Sequence, residues 1–398
     1  MNLNGRTVVI GVSGGIAAYK TAYLVSRLHK AGAEVHVIMT KNACEFITPL
    51  TFETLSGREC VTDTFARKGH YEVEHVELAK KADLIMVAPA TANVLAKLAC
   101  GIADDMLTTT VLAASCPKIV VPAMNTGMYE NPVTQDNLEK LRGYGFEVIE
   151  PASGYLACGD VGAGKMPEPE VLYAYVEKAI ARPKDMTGKH VLVSAGATRE
   201  AMDPVRFITN HSSGKMGFAI AKEYMLRGAD VTIVKAAVTA EPPMFCNIVE
   251  AVSASALFDE ITSRAPEMDV IVMAAAVSDY TPAEYKEEKV KKKDGDLSIP
   301  LVRTRDILAY LGEHRREGQF LCGFSMETEN LLENSRRKLE RKHVDMIVAN
   351  NLKDDGAGFG TDTNLVTLIT ANTDEAHTLM SKADVAKLIA DRIREIQN

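Results

Sequence analysis

TVVIGVSGGIAAYKTAYLVSRLHKAGAEVHVIMT, residues 7–40, decides the fold class. A β-branched run, 7–12, ends in a serine and two glycines, and apolar positions Ala17, Leu24 and Leu28 then recur at helical spacing. Gly32 stops that helix and a second β-branched run, 34–39, follows. Strand, glycine turn, helix, strand is the βαβ unit of a parallel sheet. ADLIMVAPA at 82–90 and KIVVPAMN at 118–125 supply two further strands.

The second half repeats this order. KHVLVSAGATRE at 189–200 leads through Gly217 into a helix, then into RGADVTIVKA at 227–236 and MDVIVMAAAVSDY at 268–280. AGAEVHVI and RGADVTIV correspond closely at a separation near half the chain, which excludes a solenoid repeat. The reading is therefore α/β, with two Rossmann-like parallel-sheet domains. Between them Val171, Leu172, Tyr175, Val176 and Ile180 mark a helix that Pro183 ends. The boundary falls within 183–187, dividing the chain into 1–184 and 185–398.

A length of 398 residues, 46% hydrophobic and 25% charged, accommodates two such cores. The net charge of −8 argues against broad capture of nucleic acid or anionic membrane, and no apolar run approaches the roughly 20 residues of a membrane span. The seven cysteines form no CxxC pair, so neither a zinc knuckle nor a disulfide framework is indicated. The opening MNLNGRTVVIGV lacks a charged segment followed by an apolar one, and a reduced cytoplasm is the expected compartment.

Candidate chemistry lies at strand ends. Ser13, Gly14 and Gly15 precede the first helix, where backbone N–H groups favour an anion, although such a turn also serves plain strand-to-helix packing. The pattern is neither GxGxxG nor a Walker loop. Thr40, Thr91, Asn93 and Asn125 stand after successive strands and converge on one crevice of an open sheet. In the second half Asn210, Ser212, Ser213 and Gly214 precede a helix, and Lys215 adds charge. The small residues Ala274, Ala275 and Ala276 let a planar base approach the backbone, and Asp279 can accept hydrogen bonds or assist a metal. KVKKK, 289–293, is either a solvated loop or a triphosphate contact.

SGGIAAYK, HVELAKKADLIMVAPATAN, PAMNTGMYENP and ACGDVGAGKM together resemble the homo-oligomeric flavin-containing cysteine decarboxylases. That resemblance implies FMN held among Ser13, Thr40, Thr91, Asn93 and Thr108, with His75, Asn125 and Cys158 catalytic. Removing CO₂ from cysteine leaves a carbanion without an electron sink, and oxidation of the CH₂–SH group to a thioaldehyde provides one. His75 then acts at the carboxylate or as a base, Asn125 positions the carboxylate, and Cys158, on a glycine-rich lid, donates the last proton. GHYEVEHVEL departs from the GHIEL of many relatives, leaving the charge around His75 open.

DPVRFITNHSSGKMG, GFSMET, KLERK and NNLKDDGAGFGTDTN resemble phosphopantothenoylcysteine synthetases, and the order of halves is that of the bifunctional coenzyme A biosynthesis flavoproteins. The resemblance implies CTP bound by Ala274–Ala276, Asp279, Lys289, Arg305, Asp306, Ile307, Leu308, Phe324, Lys338 and Lys342, with Mg²⁺ at Asp279. Asn210 stabilises an acyl-cytidylate and Lys289 assists its formation. RTRDIL lacks the proline many relatives carry before the aspartate. The implied substrates are 4′-phosphopantothenate, L-cysteine and CTP. The implied assembly is a homo-oligomer with trimeric decarboxylase and dimeric ligase contacts, for which a dodecamer is one combination. The alternatives are a flavoprotein decarboxylase of another cysteine substrate and a non-catalytic regulatory flavoprotein.

Overall fold

The computed structural model describes residues 3–65, 73–156, 159–291, 298–327, 330–351 and 360–397. Its contacts divide it into two compact units, Met1–Arg182 and Pro183–Asn398.

In the first unit, strands β1 (Thr7–Val12), β2 (Glu34–Met39), β3 (Leu84–Ala90), β4 (Lys118–Pro122) and β5 (Phe146–Val148) form one parallel sheet in the order β2-β1-β3-β4-β5. Every residue of β1 and β3 is buried, as continuous apolar strands covered on both faces must be. Val87, Leu95, Leu107, Val120 and Leu138 belong to the core on one face. The helix Pro169–Ile180 packs on the helix Ala18–Lys30, where Lys20, only 7% exposed, donates to the Met166 carbonyl at 3.0 Å and to Glu168 at 2.7 Å. A hairpin of β6 (Ala152–Tyr155) and β7 (Val161–Lys165) follows the sheet.

The second unit contains β8 (His190–Ala195), a small hairpin of β9 (Glu200–Ala201) and β10 (Phe207–Ile208), then β11 (Asp230–Lys235), β12 (Asn247–Glu250) and β13 (Val270–Met273). A second hairpin pairs β14 (Tyr280–Pro282) with β15 (Leu301–Arg303). After β16 (Phe320–Glu327) and β17 (Met346–Asn351), the chain forms β18 (Thr363–Asn364), β19 (Val366–Thr370), β20 (Asp374–Ala376) and β21 (Met380–Ser381). The main sheet runs β12-β11-β8-β13-β16-β17-β19-β20, parallel as far as β17 and antiparallel beyond it. The antiparallel edge is an addition to the parallel sheet read from sequence. β19 and β20 are joined by a short turn, and such a link permits only antiparallel pairing. The closing helix, Lys382–Gln397, buries Val385, Ala386, Ile389, Ala390 and Ile393 against the helix Lys215–Leu226.

Candidate functional sites

In an open parallel sheet, ligands sit beyond the carboxyl ends of the strands, at the point where the strand order reverses. In the first unit that point lies between β1 and β3. Ser13 closes its floor: it is fully buried, its hydroxyl donates to the Pro89 carbonyl at 2.7 Å and accepts from the Thr91 N–H at 3.0 Å. The glycine turn then separates into two tasks. A Cβ on Gly14 would lie 2.5 Å from Cβ of Asn42 and 2.8 Å from its carbonyl carbon, so Gly14 is required for packing. A Cβ on Gly15 would meet only the Thr91 methyl group, at 3.8 Å. The following helix has Ala17 at its N-cap, no side-chain cap and no acid in its first turn. Its first N–H groups and dipole are therefore suited to a phosphate.

Thr40 and Thr91 cap the next helices, accepting from Ala43 N–H at 3.2 Å and Val94 N–H at 3.4 Å, and Asn93 is exposed. Thr108 is buried in a capping box with Asp105. His75 is half-buried near the start of the helix Glu74–Lys81, which packs on the helix Met106–Ala113. Asn125 caps a short helix through Gly127 N–H at 2.9 Å, and its Nδ2 donates to Asp160 at 2.6 Å. Asp160 stands at the tip of the β6–β7 hairpin, so this contact joins the hairpin to the PAMN loop. Cys158 belongs to the same tip in sequence and lies outside the described residues.

The second unit has two adjoining pockets, of about 740 and 340 Å³, which share Ala275, Val277, Asp279, Phe324 and Lys338. The larger is walled by Met273, Ile307 and Leu308 and reached by Arg305, Asp306 and Lys342. Asp306 caps the helix Ile307–His314 through Ala309 N–H at 3.0 Å and pairs with Lys342. Burial pushes the Lys342 ammonium below the ordinary lysine value, opposed by the nearby Asp279. Lys338 donates to the Phe324 carbonyl at 2.7 Å. Its helix, Leu331–Arg341, also presents Arg337 and Arg341, neither of which the sequence singles out.

The smaller pocket is lined by Ala274, Ala276, Ser212, Ser213, Lys215 and Lys382, among others. Gly214 caps the helix Lys215–Leu226 in a left-handed conformation, φ 85°, without a side-chain cap or a first-turn acid, which repeats the arrangement at Ala17. Lys215 pairs with Asp362 at 2.7 Å. Lys382 is 8% exposed, and burial followed by the neighbouring Lys215 lowers its pKa. Buried Oδ1 of Asn350 has no hydrogen-bond partner and belongs to this pocket's lining. Asn210 braces the wall: its Nδ2 donates to the Ala276 carbonyl at 2.9 Å while its Oδ1 accepts from Ser212 N–H at 3.0 Å. Lys382 is legible only in retrospect, as a lysine in phase with the apolar stripe of the last helix. Lys289 is exposed and lines neither pocket.

A lone carboxylate, Asp279, faces both pockets, and the described residues contain no group of three or more His, Cys, Asp or Glu side chains able to hold a metal. This donor set fits Mg²⁺, which binds through one or two carboxylates together with substrate phosphates.

Residues 1–181 match the Flavoprotein family and residues 186–396 the DNA/pantothenate metabolism flavoprotein C-terminal domain. Over 395 residues, 98% of this chain and 97% of the relative, the sequence is 46% identical to the coenzyme A biosynthesis bifunctional protein CoaBC of Bacillus subtilis. The chain belongs to the CoaBC family. The Escherichia coli K12 CoaBC protein is 39% identical over 99% of this chain and 98% of its own length. A crystal structure of a CoaBC C-terminal domain is 36% identical, covering 54% of this chain and 97% of that one, with a TM-score of 0.46. The two family matches and the full-length relatives place both CoaBC halves in this chain. Among the described residues no helix is long and apolar enough to cross a membrane.

Proposed function

We propose that the second unit couples 4′-phosphopantothenate to L-cysteine through an acyl-cytidylate at the expense of CTP, and that the first decarboxylates the product to 4′-phosphopantetheine. The observation that carries this reading is the pair of pockets meeting at Ala275, Val277, Asp279, Phe324 and Lys338. A carboxylate makes a poor acyl donor because oxide is its leaving group. Attack on the α-phosphate of CTP converts that leaving group to CMP, with pyrophosphate released, and the amine of cysteine then forms the amide. The nucleoside occupies the larger pocket, against Ala275 and Phe324. The phosphates extend to the uncapped helix, Lys215 and Lys382, where cations and backbone N–H groups neutralise charge. Asp279 would hold Mg²⁺ together with the substrate phosphates, Asn210 fixes the Ala276 carbonyl beside the acyl group, and Lys289 assists cytidylate formation.

In the first unit the β1/β3 crevice, the open Gly15 and the uncapped helix fit FMN, whose phosphate the helix start would hold. Bound there, FMN would supply reversible hydride transfer, the oxidation of the cysteine side chain that gives the leaving CO₂ an electron sink. Asn125 orients the substrate carboxylate, the chemical group Asp160 now presents to its Nδ2. His75 acts at that carboxylate or as base, and Cys158 supplies the final proton. Exposed Ile16, Tyr19 and Tyr23 in the first unit, and Phe207, Leu301 and Val302 in the second, support homo-oligomeric contacts through both.

Mass spectrometry of products from flavin-loaded protein supplied with 4′-phosphopantothenate, cysteine and CTP tests the reading. The expected products are phosphopantetheine, CO₂, CMP and pyrophosphate. Pyrophosphate release independent of phosphopantothenate, or accumulation of phosphopantothenoylcysteine with no CO₂, would refute one half or the other.

A further inference from the structure

DPVRFITN, 203–210, carries two charged residues that neither pocket uses, Asp203 and Arg206. Asp203 has a fully buried carboxylate, which accepts from Val205 N–H at 2.9 Å, Arg206 N–H at 2.8 Å, and the Arg206 side chain at 3.0 Å from Nε and 2.5 Å from Nη2. These contacts would suffice for a tight turn. The remaining two leave the turn: Asp203 Oδ2 accepts from Val290 N–H at 3.2 Å, and Arg206 Nη2 donates to the Val290 carbonyl at 2.9 Å. Both backbone groups of one residue are thus held across a sequence separation of more than eighty positions. Lys286 N–H donates to the Met202 carbonyl at 3.0 Å, fixing the approach to the same segment.

We infer that Asp203, with Arg206, is a positioning residue for Lys289, clamping the backbone of Val290 so that the adjacent ammonium is presented from a fixed base. Otherwise Lys289 stands in an acidic and basic surface stretch, EYKEEKV, in which residues 284–289 are all exposed. A lysine there has side-chain rotamer freedom to lose on engaging a ligand, and a mobile backbone would add to that cost. The clamp removes the backbone part. The carboxylate is the keystone because it grips Arg206 and Val290 together. The Arg206 guanidinium completes the grip from the carbonyl side.

The inference rests on the proposed part of Lys289 in cytidylate formation, and the test separates the two. Pyrophosphate release dependent on 4′-phosphopantothenate is measured in the full-length protein for Lys289→Ala, Asp203→Asn and the double variant. Trypsin cleavage within residues 289–293 is followed in the same preparations. Cytidine binding and the melting curve report whether the second unit is folded, because Lys289 and Asp203 line neither pocket. Expected is a loss of about tenfold or more in Asp203→Asn, no further loss when it is added to Lys289→Ala, and faster cleavage of the basic stretch with cytidine binding unchanged. Losses that multiply in the double variant, or a cleavage rate equal to wild type, would overturn the positioning role. Full activity in Lys289→Ala would overturn the reading of Lys289 itself, and the inference with it. Should Asp203→Asn lose cytidine binding, Asp203→Glu, which keeps the charge, carries the same cycle.

Discussion

Replacing Gly164 by alanine should disable decarboxylation while sparing ligation. Gly164 lies in β7 with φ 134°, and a Cβ there would come within 2.2 Å of the Met124 carbonyl oxygen. Its own carbonyl accepts from Met124 N–H at 3.1 Å, so the hairpin and the PAMN loop are in direct backbone contact. The left-handed conformation costs an L-residue roughly 1–3 kcal/mol, and loss of the hydrogen bond adds about 1 kcal/mol. A shift of about 2–4 kcal/mol changes the docked population by roughly 30- to 700-fold, at 1.4 kcal/mol per factor of ten. Gly162 provides the control. Its Cβ would meet Thr126 Oγ1 at 2.7 Å and Cγ2 at 2.8 Å, side-chain atoms that can rotate away, and it has no left-handed backbone to strain. The assay is CO₂ release from phosphopantothenoylcysteine beside CTP-dependent pyrophosphate release, both on the full chain. Gly164→Ala should lose at least about tenfold of the first and keep the second, with Gly162→Ala much less affected. Undiminished CO₂ release, or an equal fall in both activities, would refute the reasoning.

Ser13→Ala leaves the Thr91 N–H without its partner and the Pro89 carbonyl with only the 3.3 Å bond from the residue 13 N–H, and should lower the stability of the first unit by about 1–3 kcal/mol in a urea titration followed by flavin absorbance. Asn210→Asp sets a carboxylate against the Ala276 carbonyl, so ligation should fall while CO₂ release from supplied phosphopantothenoylcysteine is unchanged. The pH dependence of CTP binding follows from Lys342, whose pKa burial holds below the ordinary 10.5. Below that lowered pKa the ammonium is charged and attracts phosphate. As pH rises through it the charge is lost, so affinity should decline before an ordinary lysine titrates, and Lys342→Arg should move the decline to higher pH in a calorimetric titration.

Both sheets are legible because each opens with a buried β-branched run, a glycine turn and an amphipathic helix, features set by local geometry. The strand ends are legible for the same reason, and Ala274–Ala276, Asp279, Phe324 and Lys338 do line adjoining pockets. What the sequence leaves open is the direction in which a side chain points. Ser13 turns into the sheet rather than the crevice, because the β1–β3 crossing offers it a buried carbonyl. Gly14 and Gly15 look alike in sequence, and only the position of Asn42 tells packing from open space. Lys382 reads as part of a polar helix until the helix Lys215–Leu226 covers its face. The antiparallel edge depends on short β19 and β20 pairings that tertiary contact, more than local propensity, selects.

The uncapped helix starts at Ala17 and Gly214 carry a practical consequence. At other helices Thr91, Asp105, Ser253 and Asp306 satisfy the first turn from within the chain, while the helix starts at Thr48, Val73, Glu168 and Asn330 also lack a side-chain cap but open on neither glycine-turn crevice. At the Ala17 and Gly214 helix starts the proposed ligand phosphates would satisfy it, and a ligand that binds only the folded state raises the melting point in proportion to the logarithm of its concentration. On the proposed function each half should therefore be open to titration by heat alone, with FMN raising the melting of the first unit and CTP that of the second. Phosphate or sulfate in a storage buffer would compete at both helix starts, so such buffers belong in the controls of any binding measurement on this protein.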